Sequence, residues 1–409
     1  MTPAAAARFL LATCFLVLLF NGGARFAIGL LLQPMTEDLG WSRSAVSLNV
    51  TLFMVLSAGA MFLVGRLVDR AGGAKVLVSA VLVSAFALVC MSFAGSQWEA
   101  LFLYGVVFAL GSAGTSITPI GVLLSRWYPQ RMGMANSIAI SGMGLGQLLV
   151  ISLLAAQLAV LGWRGSFLAL GIAMLICVLP LLLFARSAPG PAPVPPPPAD
   201  ASRTAAPPDR GAATLREALA SRRLQLLLVI YAICGFQDFL IAVHVVAFAV
   251  DEGVDVLLAG NILAFMGLAG VAGVLLTGVL NDRRGPVLPT AVCFLLRTLL
   301  CAALLVSREP VVIAGAALLF GVTFWVTAPL TVVFGREIAA WSRLGAVTGF
   351  ITMVHHSAGG FGALVGGEIY DAYGSYDAAF VLLLVLSLIA LGLSLALPFC
   401  VHRELQRLS

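Results

Sequence analysis

Twelve apolar stretches of roughly 20 residues, beginning near positions 8, 44, 74, 98, 132, 165, 224, 258, 287, 310, 344 and 377, constrain this chain more than any other feature. About 20 helical residues cross a hydrocarbon core of about 30 Å. Lipid offers no partner to a backbone N–H or C=O, so each stretch is expected to be a helix. Composition agrees. Hydrophobic residues make up 61% of the chain and charged residues only 10%, where a soluble domain has about a half and a quarter. The expectation is an all-α membrane protein with twelve transmembrane helices in contact with lipid. The first stretch begins like a cleavable signal, with Arg8 before the run Phe9 to Phe20, but the run continues to Leu32 with no small-residue cleavage site. It is expected to be retained.

The net charge of +5 follows from orientation. With both termini placed in the cytoplasm, eighteen of the Lys and Arg residues fall on that side and three (Arg43, Arg164 and Arg308) on the other, a strong positive-inside asymmetry. No nucleic-acid partner is needed to explain the charge. The seven cysteines, Cys14, Cys90, Cys177, Cys234, Cys293, Cys301 and Cys400, lie within or beside apolar stretches, where a thiol packs as a small hydrophobe. Neither a disulfide nor a metal site is expected, and no cofactor motif is present.

The chain repeats itself. Gly65 to Lys75 reads G-R-L-V-D-R-A-G-G-A-K, and a degraded copy, G-V-L-N-D-R-R-G-P, runs from Gly278 to Pro286. Gly65, Asp69, Arg70 and Gly72 fall on Gly278, Asp282, Arg283 and Gly285 at a constant offset of 213 residues. Gly111, Pro119 and Arg126 match Gly321, Pro329 and Arg336 at 210, and Trp163 to Phe167 falls on Tyr376 to Phe380 at 213. Between the copies, Ala188 to Ala199 reads A-P-G-P-A-P-V-P-P-P-P-A, which cannot be helical because proline lacks the amide donor. The organisation expected is therefore a six-helix bundle over residues 1–187, a Pro-rich cytoplasmic linker over 188–223 and a second six-helix bundle over 224–409. A surface helix between Ala213 and Arg223 and a disordered basic segment are equally compatible with the linker's end. Parallel six-helix repeats are one plan of secondary transporters.

The motif G-x-x-x-D-R-x-G followed by Lys75 closely resembles the signature between helices 2 and 3 of the major facilitator superfamily, and the resemblance runs over essentially the whole chain. It implies the twelve-helix, two-bundle fold. It also implies that Gly65, Asp69, Arg70 and Gly72, with Asp282 and Arg283, form a cytoplasmic gate whose contacts hold the outward-open state. Three further stretches, Pro34 to Ser44, Trp127 to Gly146 and His244 to Gly253, look like bacterial members of the monocarboxylate transporter and oxalate/formate exchanger group. That narrower resemblance implies a small organic anion as substrate, often moved with a proton. Helix 8, Leu258 to Leu280, lacks the aspartate and arginine found in the animal members.

A charge at the bilayer centre costs about 2.5–3.5 kcal/mol on insertion scales, so it usually faces a cavity or a partner. Arg25 lies inside stretch 1 after Asn21, Gly22 and Gly23, and Asp238 lies near the middle of stretch 7, again 213 residues on. In the fold the resemblance implies, these two helices face each other across the central cavity. Arg25 is the leading candidate for the substrate carboxylate, since a guanidinium stays charged and grips carboxylates with a two-pronged fork. Asp238 is the candidate for proton coupling, neutralising Arg25 when no substrate is bound. His244, six residues beyond Asp238, and the adjacent pair His355 and His356 are further candidates for substrate or proton contact. Arg297, in stretch 9, is expected to have a structural role, bonding helix carbonyls. Phe20, Phe26, Phe324 and Trp325 are candidates for an apolar wall.

These residues point to a monomeric secondary transporter in the inner membrane of a bacterium, moving a small organic anion with a proton by alternating access. No Walker loop is present to use ATP, and no catalytic triad or metal cluster would make an enzyme. A proton-driven exporter of amphipathic compounds and a transporter-derived ligand sensor remain as alternatives.

Overall fold

The computed structural model describes residues 3–128, 132–185, 221–327, 330–331, 333–334 and 344–408, and it is helical with no strand among them. Helix α1 (Pro3–Leu39) is followed by α2 (Arg43–Ala71) and α3 (Gly73–Met91). The fourth span is composite. It comprises α4 (Gln97–Ala100), a π-helical run (Leu101–Phe108) and α5 (Ala109–Gly114), then a break, then α6 (Ile117–Trp127). Helix α7 (Met132–Ala185) holds two spans, divided at Gly162 (φ 60°, ψ −175°). Then come α8 (Arg222–Asp251), α9 (Val256–Arg284), α10 (Val287–Val306), α11 (Pro310–Phe324), α12 (Leu344–Tyr373) and α13 (Asp377–Leu408). Nine helices among the described residues are long and apolar enough to cross a membrane, and one of them, Ile138–Leu183, is long enough to cross twice. Phe86, Leu153, Leu275 and Leu299 stand exposed on the outside of this bundle, as side chains facing lipid should. The linker over 188–220 lies outside the described residues.

The repeat is written into the backbone. Among the described residues six glycines have positive φ, and they form three pairs: Gly40 with Gly253, Gly72 with Gly285, and Gly162 with Gly374. The offsets are 213, 213 and 212 residues. Gly72 (φ 86°, ψ 144°) and Gly285 (φ 74°, ψ 175°) end α2 and α9 in a conformation that is essentially glycine's alone. These are the last glycines of the two motif copies, so the signature is a helix stop in both halves. Arg70 and Arg283 are exposed there. Gly65 lies within α2, and the side chains of Asp69 and Asp282 are outside the described set.

Helix breaks repeat as well. The fourth span breaks at Thr115 (φ −95°, ψ 18°) and the tenth at Trp325 (φ −102°, ψ 7°), 210 residues apart. Each break falls four residues before a proline, Pro119 or Pro329. A proline cannot donate to the carbonyl four residues back, so the helix ladder is interrupted at that place.

The halves meet where α1 packs on α8, α2 on α12 and α7 on α9. Thr51 Oγ1 of α2 donates to the carbonyl of Gly360 in α12 (2.7 Å), and Gln147 Nε2 of α7 donates to that of Leu263 in α9 (3.1 Å). Gly360 is required by this approach, because a Cβ there would lie 2.9 Å from the Thr51 carbonyl oxygen. Polar bonds and small residues hold helices together in lipid, where apolar contact alone gives little preference.

Candidate functional site

Arg25 projects from the middle of α1. The preceding Gly22 and Gly23 press α1 against α7, where a Cβ on Gly22 would come within 2.6 Å of the Met143 carbonyl oxygen. The π-helical run aims Tyr104 at the same turn, its hydroxyl donating to the carbonyls of Ala24 (3.3 Å) and Arg25 (3.2 Å). The guanidinium carbon sits 5.8 Å from the centre of the Phe53 ring. Its Nε is buried without a hydrogen-bond partner, and no carboxylate among the described residues pairs with it. A cation–π contact stabilises such a charge by about 0.5–2 kcal/mol, so most of its bonding capacity is left open.

Asp238, the repeat equivalent in α8, is fully buried and does not pair with Arg25. Its partner is Arg297 of α10, whose Nη2 donates to Oδ1 at 2.6 Å with both side chains sealed from solvent. Arg297 also donates from Nε to Thr323 Oγ1 (3.0 Å), from Nη1 to Gln237 Oε1 (3.2 Å) and from Nη2 to the Thr323 carbonyl (3.1 Å). The expectation that Asp238 neutralises Arg25 is thus corrected: a guanidinium of its own half already holds it. Arg297 does bond a helix carbonyl as expected, but its main contact is this ion pair.

The other oxygen of Asp238 takes two weaker donors, Cys234 Sγ (3.5 Å) and His355 Nε2 (3.2 Å). Donor atoms of Cys234, Asp238 and His355 thus lie within 4.8 Å of one another. The Arg297 charge against the same carboxylate competes with any cation there. His356, next in α12, turns the other way. Its Nδ1 donates to the Thr352 carbonyl (2.9 Å), and its ring lies near Phe239 and within the electrostatic reach of Arg25. A chain of ring contacts links the halves beside it, Phe26 to Phe324 (5.9 Å), Phe324 to Phe239 (6.2 Å) and Phe324 to Trp325 (5.2 Å between centres). Arg25, His356 and this aromatic wall thus come together, with Asp238 and His355 behind them.

His244 goes elsewhere. It is buried towards the end opposite the chain termini, with its Nδ1 bonded to Tyr376 Oη (2.9 Å) and its Nε2 to the Ala363 carbonyl (2.8 Å) and Ser47 Oγ (3.3 Å). Tyr376 links it to a network missing from the sequence reading. Arg43 grips Asp251 with both prongs (2.7 and 2.8 Å), donates to Tyr376 Oη (2.8 Å) and lies 3.6 Å above the centre of the Tyr370 ring. Asp371 accepts from the backbone N–H groups of Arg43 (3.0 Å) and Ser44 (2.9 Å), capping α2 from the opposite half. Charges at a helix start and bidentate arginine forks are among the stronger polar contacts.

All three arginines assigned to that face bond to acids: Arg43 to Asp251, Arg164 to Asp38 and Arg308 to Asp377. Asp38 and Asp251 are repeat equivalents, as are Arg164 and Asp377. In the first half the two positions pair with each other. In the second half both are acids, so Asp251 is available to Arg43 across the interface. The sequence signal was present, because Arg43 and Asp251 each lie in a stretch that carried the narrower resemblance. Arg297 was also legible as the lone base of a span whose half holds one lone mid-span acid.

The fold and the charged interior between two six-helix repeats define a membrane transporter rather than an enzyme. Residues 14–363 match the model of the Major Facilitator Superfamily, and the chain belongs to that family. It is 26% identical to the uncharacterised MFS-type transporter YcxA of Bacillus subtilis, over 94% of this chain and 93% of that one. It is 26% identical to monocarboxylate transporter 13 of Rattus norvegicus, over 80% and 74% respectively. Its fold superposes with a TM-score of 0.78 on a bacterial homologue of the human lysosomal transporter Spinster in an inward-facing, unoccupied conformation, at 16% identity and 97% coverage of both chains.

Proposed function

We propose that this transporter carries a small organic anion, monocarboxylate-like, into a bacterial cell together with a proton. Residues 1–187 and 224–409 act as two bundles rocking about a midplane site, joined by the cytoplasmic segment 188–223, with both termini cytoplasmic and the protein monomeric. The observation that carries the reading is Arg25, a guanidinium in the middle of a membrane helix with its Nε buried and unpaired. Nature rarely leaves such a group without purpose, since a buried unpaired charge is costly. A carboxylate would complete it. His356 lines the site from the opposite half with its Nδ1 hydrogen already given to the Thr352 carbonyl, and the Phe26, Phe239, Phe324 and Trp325 rings receive the carbon skeleton. The similarity to a monocarboxylate transporter supports the same substrate class.

The Arg43 network is the periplasmic gate on this reading, with His244 bracing Tyr376. The motif around Gly72 and Gly285 is the cytoplasmic one. Asp238 belongs to the coupling machinery.

The test is reconstitution in liposomes with an internal pH dye, challenged with formate, oxalate, lactate, pyruvate and benzoate and corrected for passive entry of the neutral acids. Acidification by one of them in wild type and not in Arg25→Gln is expected. The aromatic wall favours export of an amphipathic compound as second reading. A response to a lipophilic cation, with none to any carboxylate, would establish that reading in place of the first.

A further inference from the structure

Asp238 cannot easily be the atom that gains the coupling proton. Its Oδ1 is taken by Arg297 at 2.6 Å in a site closed to solvent. Arginine keeps its charge at any physiological pH. Protonating the carboxylate would therefore strand a buried guanidinium without a counter-ion, the costliest way to break a buried pair. The neighbouring imidazole has no such obstacle.

We infer that His355 is the proton-binding group of the cycle, and that Arg297 is a positioning residue which fixes Asp238 as a permanent anion facing it. This rests on the proton-coupled reading above and names the site where the coupling occurs. A carboxylate only accepts, so His355 Nε2 must carry hydrogen at its 3.2 Å contact with Oδ2. The free lone pair is then on Nδ1, which bonds no described residue. The side chain is 15% exposed while that of Asp238 is 1% exposed, so the imidazole is the more accessible of the two. A proton taken up at Nδ1 gives an imidazolium, turns the Nε2 contact into a charge-assisted bond and leaves the Arg297 pair intact. The same proton leaves from Nδ1 to water on the other side.

The groups facing His355 fit this assignment. From α8 come Asp238, Cys234 and Tyr231, whose ring centre lies 6.4 Å away. From α10 comes Arg297, and on α12 itself His356 lies 5.5 Å off between ring centres. Arg25 of α1 is the other interior cation, beside Phe53. Arg25 and Arg297 make the interior positive beyond what Asp238 balances. An anion bound at Arg25 would lower that excess, so proton and anion each favour the other's binding, and the linkage is reciprocal.

Full-length protein in nanodiscs, with 15N-labelled histidine and the His355 signal assigned by its loss in His355→Gln, gives the direct readout. The expected result is a His355 imidazole that takes up a proton over the pH range in which wild type couples proton and anion movement. Its midpoint should rise by about one pH unit, a tenfold gain in proton affinity, when the one of formate, oxalate, lactate, pyruvate and benzoate that wild type moves is added. In liposomes the number of protons moved per anion should fall at least about tenfold in His355→Gln whatever anion flux remains. Arg297→Lys should retain more of that ratio than Arg297→Gln. A His355 ring that stays neutral throughout, or an unchanged ratio in His355→Gln beside a proton-coupled wild type, overturns the inference and spares the parent reading. Anion movement in wild type with no proton overturns both.

Discussion

Two arginines in the membrane interior show how context assigns a role to the same side chain. Arg297 has a carboxylate, a hydroxyl, an amide oxygen and carbonyls within reach, and its bonding is complete. Arg25 has an aromatic face and an unpaired Nε. Replacing Asp238 by Asn should therefore cost about 3–5 kcal/mol, the penalty for stranding a buried charge. The double variant Asp238→Asn with Arg297→Gln should cost less than the sum of the single changes by at least about 1 kcal/mol, read as thermal unfolding in detergent. Arg25→Gln strands nothing and should leave the unfolding temperature within a degree or two. Both charges could be found in the sequence, because lone charges in apolar runs stand out. Their pairing could not, because the repeat offset sets equivalent positions while contact depends on which helices touch. Asp238 is equivalent to Arg25 but bonds Arg297, which reaches it from α10.

At the scale of helices, most of the architecture was legible. Apolar run lengths located the spans, and the duplicated motif marked two helix stops that the backbone realises at Gly72 and Gly285. Either glycine changed to Ala should destabilise the protein by about 1–3 kcal/mol, the cost of forcing a side chain into a conformation that glycine alone adopts readily. The two losses should be similar, since the sites are repeat equivalents. The Gly162 turn falls where the fifth and sixth apolar stretches were divided. Less legible was the π-helical run at Leu101–Phe108, which does not change the hydrophobic pattern. Gly360 was one glycine among 42 until the crossing with Thr51 gave it a task. Gly360→Leu should keep α2 and α12 apart, raising the reaction of a thiol at Ser47→Cys with an impermeant maleimide added on the side facing Arg43.

At the scale of the molecule, the repeat is most informative where it fails. Asp38 and Arg164 satisfy each other, while the second half carries acids at both equivalent positions and so binds Arg43 of the first. An internal contact has become a bond between halves. Arg43→Gln and Asp251→Asn should each increase labelling of the same Ser47→Cys thiol, and the two effects should not add, because either change removes the same fork. The asymmetry extends to the interior, where one half keeps an unmatched cation and the other a matched pair beside a histidine. On the proposed reading the anion binds in one bundle and the proton in the other, so that both change exposure as the halves rock.

Counterflow tests the proposed anion site at Arg25 most directly, without relying on proton movement. Liposomes loaded with unlabelled formate, oxalate, lactate, pyruvate or benzoate and exposed to the same radiolabelled acid should accumulate label through wild type. In Arg25→Gln the apparent affinity should fall by roughly a hundredfold, about 3 kcal/mol for a lost charge-assisted grip, with Arg25→Lys between the two. Counterflow of a carboxylate with equal affinity in wild type and Arg25→Gln would contradict the account.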